Sequence, residues 1–427
     1  LERKRMQNET IAIHAGYNKK EGFGTMSVPI SQTTAYAFRD SEHAANLFAL
    51  KELGPIYTRL TNPTTDVLEQ RFAALEGGAA AICTSSGQAA SFFAIANVAE
   101  AGDNVIISDK LYGGSVTLLT YTMKRFGINA KVFKSDDASD LESLIDDKTK
   151  AIYFESLSNP QIAIPDVEKV VEIAKKHGVL TICDNTVASA ALFNPIKWGV
   201  DVVVHSTSKY TNGQGTALGG IIVERDGLAE FFKANENRYS HFTTPDVSYH
   251  GLVYTDVPLP NFCLRVRLSL LRDIGATQSP HNSWLLIQTL ETLSLRVDKH
   301  SENALEVAKF LESHPKVKAV NYPGLESNKY YAKAQKYFKG GKSSGLISFD
   351  VESFEEAKRI IDSAKLFSVV VNIGDSKSLI VHPASTTHSQ MSPEELAKAG
   401  VNPVTVRLSI GLENTVDLIE DLNQALN

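Results

Sequence analysis

The amino-acid sequence predicts an α/β fold, with a large domain on a mainly parallel sheet followed by a smaller α+β C-terminal domain. Three observations predict it. Between residues 79 and 224, short runs rich in Val and Ile alternate with helical stretches. Those runs are apolar almost throughout rather than at every second residue, as strands buried on both faces are. From Trp284 onward the texture changes to a long helical stretch and then a mixed pattern. A chain of 427 residues has room for two or three domains at about 100–200 residues each.

The elements follow in order. Residues 1–55 are rich in turn formers and show little periodicity before 42–53, so they read as an N-terminal arm plus a helix. Residues 56–283 form the α/β domain. Its strand candidates are 79–83, Asn104–Ser108, 151–154, 179–183, 202–205 and 220–223. A helix is expected over 88–99, and another over 166–177, where Lys-Lys-His-Gly is a usual C-terminal signature. The stretch 234–278 is polar, contains prolines and lacks a clear period, which suits a lid or a subunit contact. Residues 284–427 form the second domain, with a helical stretch over 284–313 and strands near 317–322, 345–351 and 404–410.

Composition narrows the function. With 43 basic and 49 acidic side chains the formal charge is −6, so no basic excess points to nucleic acid. No apolar stretch approaches the roughly 18–20 residues of a membrane span. The charged N-terminal residues LERKRMQNETIAIHAG have no apolar signal core behind them. Cys83, Cys183 and Cys263 are too few and too far apart for a disulfide framework or a metal knuckle. The first two sit in apolar runs and read as small buried residues of a reduced, cytoplasmic protein.

Six segments carry possible chemistry, and each has a plainer alternative. In HSTSKYTNGQGTALGG (205–220), Lys209 follows a buried strand and stands beside the hydroxyls of Ser206 and Ser208, with Gly213, Gly215, Gly219 and Gly220 close by. A lysine so placed can lose its charge and form a Schiff base with a carbonyl; a solvated lysine is the alternative. TSSGQAASF (84–92) joins a strand to a helix, so the amides of Gly87 and Gln88 form an anion site or belong to an ordinary capped N-terminus. Asp184, in ICDNTVAS, closes a buried strand and needs a cation or strong donors. A protonated ring nitrogen would serve, and so would the amides of a following turn. Tyr57 and Arg59 alternate along PIYTRLTNP and make a phosphate clamp or a surface pair. Tyr112 follows the strand Asn104–Ser108 and either stacks on a planar ring or packs at the rim. Arg407 interrupts the apolar run VTVRLSIGLE and grips a substrate carboxylate or a structural acid.

With these residues in place, the chain resembles the Cys/Met-metabolism family of pyridoxal-phosphate enzymes, of fold type I. The motifs YTRLTNPT, TSSGQAA, ESLSNP, CDNT, HSTSKY and HPASTTH occur in the family's order, from about Glu9 to the C-terminus. The resemblance implies that Lys209 binds pyridoxal 5'-phosphate and shuttles protons, that Asp184 pairs with the ring nitrogen, and that Tyr112 stacks on the ring. It implies that Gly87, Gln88, Ser206 and Ser208 hold the phosphate. Tyr57 and Arg59 would reach the phosphate of a neighbouring subunit in a homotetramer built from two dimers. Arg407 would bind the substrate carboxylate with help from Asn159 and Asn372.

Within the family, the details are similar to the O-acetylhomoserine sulfhydrylases. Gln88 stands where many relatives have Met, Asn372 where synthases and lyases usually have Ser, and an insertion precedes 272–296. The implied reaction is a γ-replacement of methionine biosynthesis. Sulfide displaces acetate from an activated homoserine and gives homocysteine, with Tyr57 and Tyr112 as proton-transfer candidates. Acetyl, succinyl and phosphoryl homoserine differ only away from the reacting centre and all fit these residues. Free sulfide, a thiol or a sulfur-carrier protein docked on 234–278 all fit as donor. A cystathionine γ-synthase or a methionine γ-lyase is the nearest rival. A nucleotide-dependent oxidoreductase is more distant, since no G-x-G-x-x-G follows a strand and opens a helix. A non-enzymatic assembly protein would need structural partners for every polar residue named above.

Overall fold

The computed structural model describes residues 6–20, 24–386 and 402–427. The larger sheet has seven strands: β1 (Ala80–Thr84), β2 (Asn104–Ser108), β3 (Asn129–Phe133), β4 (Thr149–Glu155), β5 (Leu180–Asp184), β6 (Val202–Ser206) and β7 (Gly220–Glu224). Their spatial order is β1-β7-β6-β5-β4-β2-β3. Every pair from β6 to β3 is parallel, while β7 runs against both of its neighbours.

The continuous apolar strands are explained by a core on each face. On β4, Ile152 and Phe154 join one core while Ala151 and Tyr153 join the other. The first core holds Phe72, Val170 and Leu192 with Cys83 and Cys183. The second holds Phe93, Leu119 and Phe262 with Cys263. All three cysteines are buried free thiols.

Helix boundaries follow their caps. In the helix Val167–His177, the Asp166 side chain accepts from the Lys169 amide and Gly178 ends the helix in a left-handed conformation. The stretch expected as one helix over 284–313 is two, Pro280–Leu290 and Leu293–Ser313. The arm carries a helix at Asn8–His14 as well as the expected one, found at Ser41–Phe48.

The poorly periodic stretch 234–278 is a chain of short helical turns, among them Ser240–Thr243, Asn261–Arg265 and Val266–Leu271. Its order comes from aromatic packing at irregular spacing. The Phe232 and Phe242 rings stack with centroids 3.8 Å apart, and Tyr239, Tyr254 and Phe262 bury themselves around them.

A smaller sheet of five strands follows: β8 (Ala319–Asn321), β9 (Leu346–Asp350), β10 (Ser368–Val369), β11 (Leu379–Val381) and β12 (Thr405–Ser409), in the order β10-β11-β12-β9-β8. Val406 and Leu408 of β12 face a core shared with Ile347, Phe349, Ile360 and Leu418. Arg407 lies between them and points to the other face. The helix Leu293–Ser313 spans both parts, with Leu293 and Val297 in a core of the larger sheet and Ala304, Val307 and Leu311 in that of the smaller. Among the described residues, no helix is long and apolar enough to cross a membrane.

Candidate active site

The carboxyl ends of β4, β5 and β6 meet the start of the helix Gly87–Ala96 around a cavity of about 250 Å³. Parallel α/β sheets bind ligands at this edge. Ser86 caps the helix, accepting from the Ala89 amide on Oγ at 3.1 Å and from Ala90 on its carbonyl oxygen. Gly87 and Gln88 follow it in the cavity wall, and the first amides of a helix have no partner within it. A Cβ at Gly87 would sit 2.5 Å from the Ser206 Cβ, so only glycine lets this helix approach the end of β6. The Ser206 amide donates to Thr186 Oγ1 at 2.8 Å. Ser208 Oγ accepts from the Gly219 amide at 3.1 Å and donates to the Gly219 carbonyl at 3.2 Å, which pins the glycine-rich loop.

Two acids form one wall. Glu155 and Asp184 are register neighbours on β4 and β5. Asp184 accepts from the Thr186 amide at 2.9 Å and from the Tyr153 hydroxyl at 3.3 Å. Glu155 accepts from the amides of Tyr112 at 2.6 Å and Asn159 at 3.3 Å. Burial raises the pKa of both, and for Glu155 the nearby Asp184 charge adds to it. These hydrogen bonds all come from neutral donors, so this wall favours a proton or a cationic ring nitrogen.

Two cations form the opposite wall. Lys209 Nζ donates to Asn372 Oδ1 at 2.7 Å. Arg407 donates from Nη1 to Asn159 Oδ1 at 2.9 Å and from Nη2 to the Asn372 carbonyl at 3.2 Å. Its Nε is buried without a partner, and the residue is only 5% exposed. Burial lowers the Lys209 amine below its ordinary range, helped by the Arg407 charge, and lowers Arg407 to about 10. Both cations bond to neutral oxygens, which leaves their charge to attract an anion.

Gly87, Gln88, Tyr112, Asn159, Asp184, Ser206, Ser208, Lys209, Asn372 and Arg407, all singled out from sequence, line this one cavity. Tyr57 and Arg59 lie elsewhere. The Arg59 guanidinium sits 5.1 Å over the Tyr57 ring, which is 40% exposed. The last two residues of HPASTTH fall outside the described residues. Sequence reasoning missed Glu155, Thr186 and Tyr153. Glu155 carried the same signal as Asp184, an acid closing an apolar strand.

Known proteins are similar to this chain over nearly its whole length. The family model for Cys/Met metabolism PLP-dependent enzymes matches residues 9–427. The chain is 47% identical to the O-acetyl-L-homoserine sulfhydrylase of Leptospira meyeri, over 98% of this chain and 96% of the relative. It is 44% identical to O-acetyl-L-homoserine sulfhydrylase 1 of Thermus thermophilus, over 99% and 100%. A crystal structure of the provisionally assigned O-acetylhomoserine (thiol)-lyase of Campylobacter jejuni, which carries an N'-pyridoxyl-lysine-5'-monophosphate residue, superposes with a TM-score of 0.96. That structure is 56% identical, covering 99% of this chain and all of its own. Cavity, strand order and full-length similarity agree, and the chain belongs to the Cys/Met metabolism family of pyridoxal-phosphate-dependent enzymes.

Proposed function

We propose that this enzyme catalyses γ-replacement on O-acetyl-L-homoserine: a sulfide donor displaces acetate from Cγ and L-homocysteine is formed. The observation that carries this reading is the polarised cavity, lined by the acids Glu155 and Asp184 and by the cations Lys209 and Arg407.

Pyridoxal phosphate fits this cavity. The space at Gly87 that a Cβ would fill leaves two helix-terminal amides for phosphate oxygens, with the Ser206 and Ser208 hydroxyls beside them. Asp184 gives a ring nitrogen its counter-charge. The unpartnered Nε of Arg407 suits a substrate carboxylate. Bound through Lys209, the cofactor supplies an electron-poor ring that takes up the electron pair freed when the substrate's Cα–H bond breaks.

The chain's own residues do the rest. Arg407, supported by Asn159 and Asn372, orients the substrate carboxylate. Lys209, whose amine burial holds below the ordinary lysine range, takes the Cα proton and returns it at the end. A Cβ proton is then removed as the Cγ–O bond breaks and acetate leaves with its electron pair; sulfide adds at Cγ and the proton is put back on Cβ, so that O-acetylhomoserine and hydrogen sulfide give homocysteine and acetic acid. Tyr112, at the cavity rim, assists proton transfer together with Tyr57. Tyr57 and Arg59 serve the phosphate of a neighbouring subunit in a homotetramer built from two dimers, which accounts for their place outside their own cavity. The short-helix stretch 234–278 is where a sulfur-carrier protein would dock, and three free thiols suit a reducing cytoplasm.

Product analysis tests the reaction. O-acetylhomoserine with sulfide should yield homocysteine and acetate. Cystathionine from the cysteine arm as main product would make the enzyme a cystathionine synthase. Rapid oxobutyrate formation from O-acetylhomoserine alone would make it a lyase.

A further inference from the structure

Glu155 is buried, lines the cavity and takes no part in the chemistry above. Its two oxygens go to two different parts of the site. Oε1 accepts the Tyr112 amide at 2.6 Å, which fixes the backbone under the ring at the cavity rim. Oε2 accepts the Asn159 amide at 3.3 Å. Asn159 in turn receives Arg407 Nη1 at 2.9 Å, Arg407 reaches the Asn372 carbonyl, and the Asn372 side chain receives Lys209. One hydrogen-bonded chain therefore runs from Tyr112 through Glu155 to Lys209.

Charge does not explain the choice of residue. Both donors are neutral amides, and burying an acid beside Asp184 is costly. Geometry does explain it. The two N–H donors reach different oxygens, Oε1 and Oε2; a carboxyl group puts an acceptor at both places and a side-chain amide at only one. We propose that Glu155 is a positioning residue: its single carboxyl group sets the Tyr112 ring and the Asn159–Arg407 clamp in one register, so that cofactor face and substrate carboxylate are placed together. This rests on the reading of the cavity as cofactor and substrate site.

Two variants of the holoenzyme test it, by absorbance titration with pyridoxal phosphate, by kcat and KM, and by melting temperature. Glu155→Gln keeps an acceptor for the shorter Tyr112 bond and turns an N–H donor toward Asn159. KM for the amino-acid substrate should rise about tenfold, with kcat and cofactor affinity within about threefold of the parent. Glu155→Ala releases both arms and should also weaken cofactor binding about tenfold. In the double variant Glu155→Gln/Asn159→Ala, KM should match that of Asn159→Ala alone, because the first acts through the second. The proposal is overturned by folded variants whose KM and cofactor affinity stay within about twofold of the parent. It is overturned equally by additive effects in the double variant, or by loss of the fold in both single variants. A parent protein without a visible cofactor band would instead sink the cofactor reading itself.

Discussion

Lys209 shows how much one residue's meaning depends on its neighbours. In the sequence it was a lysine after a strand, with serines and glycines around it. In the structure its amine meets the Asn372 side-chain oxygen and feels the Arg407 charge, and burial keeps it below the ordinary lysine range. Lys209→Ala should abolish turnover and remove the visible absorption of the cofactor-loaded enzyme; normal γ-replacement by that variant would refute the assignment. Arg407→Ala should raise KM for the amino acid at least about tenfold while changing cofactor affinity little, since one charge-assisted pair is lost. Equal losses in both would mark a structural arginine. Asp184 and Lys209 were legible because each puts an ionisable group at the end of a buried strand, where a partner is needed. Glu155 breaks the same rule, yet the amides that satisfy it come from backbone 43 residues before it and 4 after it, a match no single-sequence pattern displays.

At the scale of elements, the strands buried on both faces were legible and the rest less so. β2 was read to the residue, because Val105, Ile106 and Ile107 are all fully enclosed. β3 was missed: it is an edge strand, and Asn129 and Val132 face solvent. β10 and β11 have two and three residues, too short for any period to appear. The fixed approach of the helix Gly87–Ala96 to β6 makes a third prediction. Gly87→Ala should weaken cofactor binding more than it lowers the melting temperature, because the helix must back away from Ser206. Unchanged affinity would show that the amides do not hold the phosphate.

A fourth prediction concerns the end of β7. Burial pushes the Glu224 carboxyl up to about 8, and its Oε2 accepts from the Cys263 amide at the start of the helix Asn261–Arg265. In the unfolded chain a glutamate titrates near about 4.3. Between these values the native state holds a proton that the unfolded state has lost. This contribution to stability is therefore full below the lower value and declines as pH rises to about 8. Glu224→Gln should flatten that part of the stability–pH curve; an unchanged slope in chemical denaturation at several pH values would contradict the assignment.

For the whole molecule, the placement of Tyr57 and Arg59 outside their own cavity makes the fifth prediction. Arg59→Ala should weaken cofactor retention. Mixed oligomers of Arg59→Ala and Lys209→Ala chains should regain part of the activity, because some sites then draw intact residues from both chains. Failure in a confirmed mixed oligomer would rule out shared sites. Fold class was legible at this scale, since two-faced strands followed by a change of texture leave few architectures. The meeting of Asn159, Asn372 and Arg407 was legible only through the family resemblance, because those residues come from both sheets' surroundings and lie as much as 248 positions apart.

The helix Leu293–Ser313, anchored in both cores, carries a further consequence. Lys209 follows a strand of the larger sheet, while Arg407 belongs to the smaller one. An amino acid whose carboxylate Arg407 gripped and whose Cα proton Lys209 took would touch both parts of the chain at once. Its binding free energy then opposes any parting of the two halves. While it stayed, such a substrate would be a strut of the protein's own framework, beside the helix that joins the two cores.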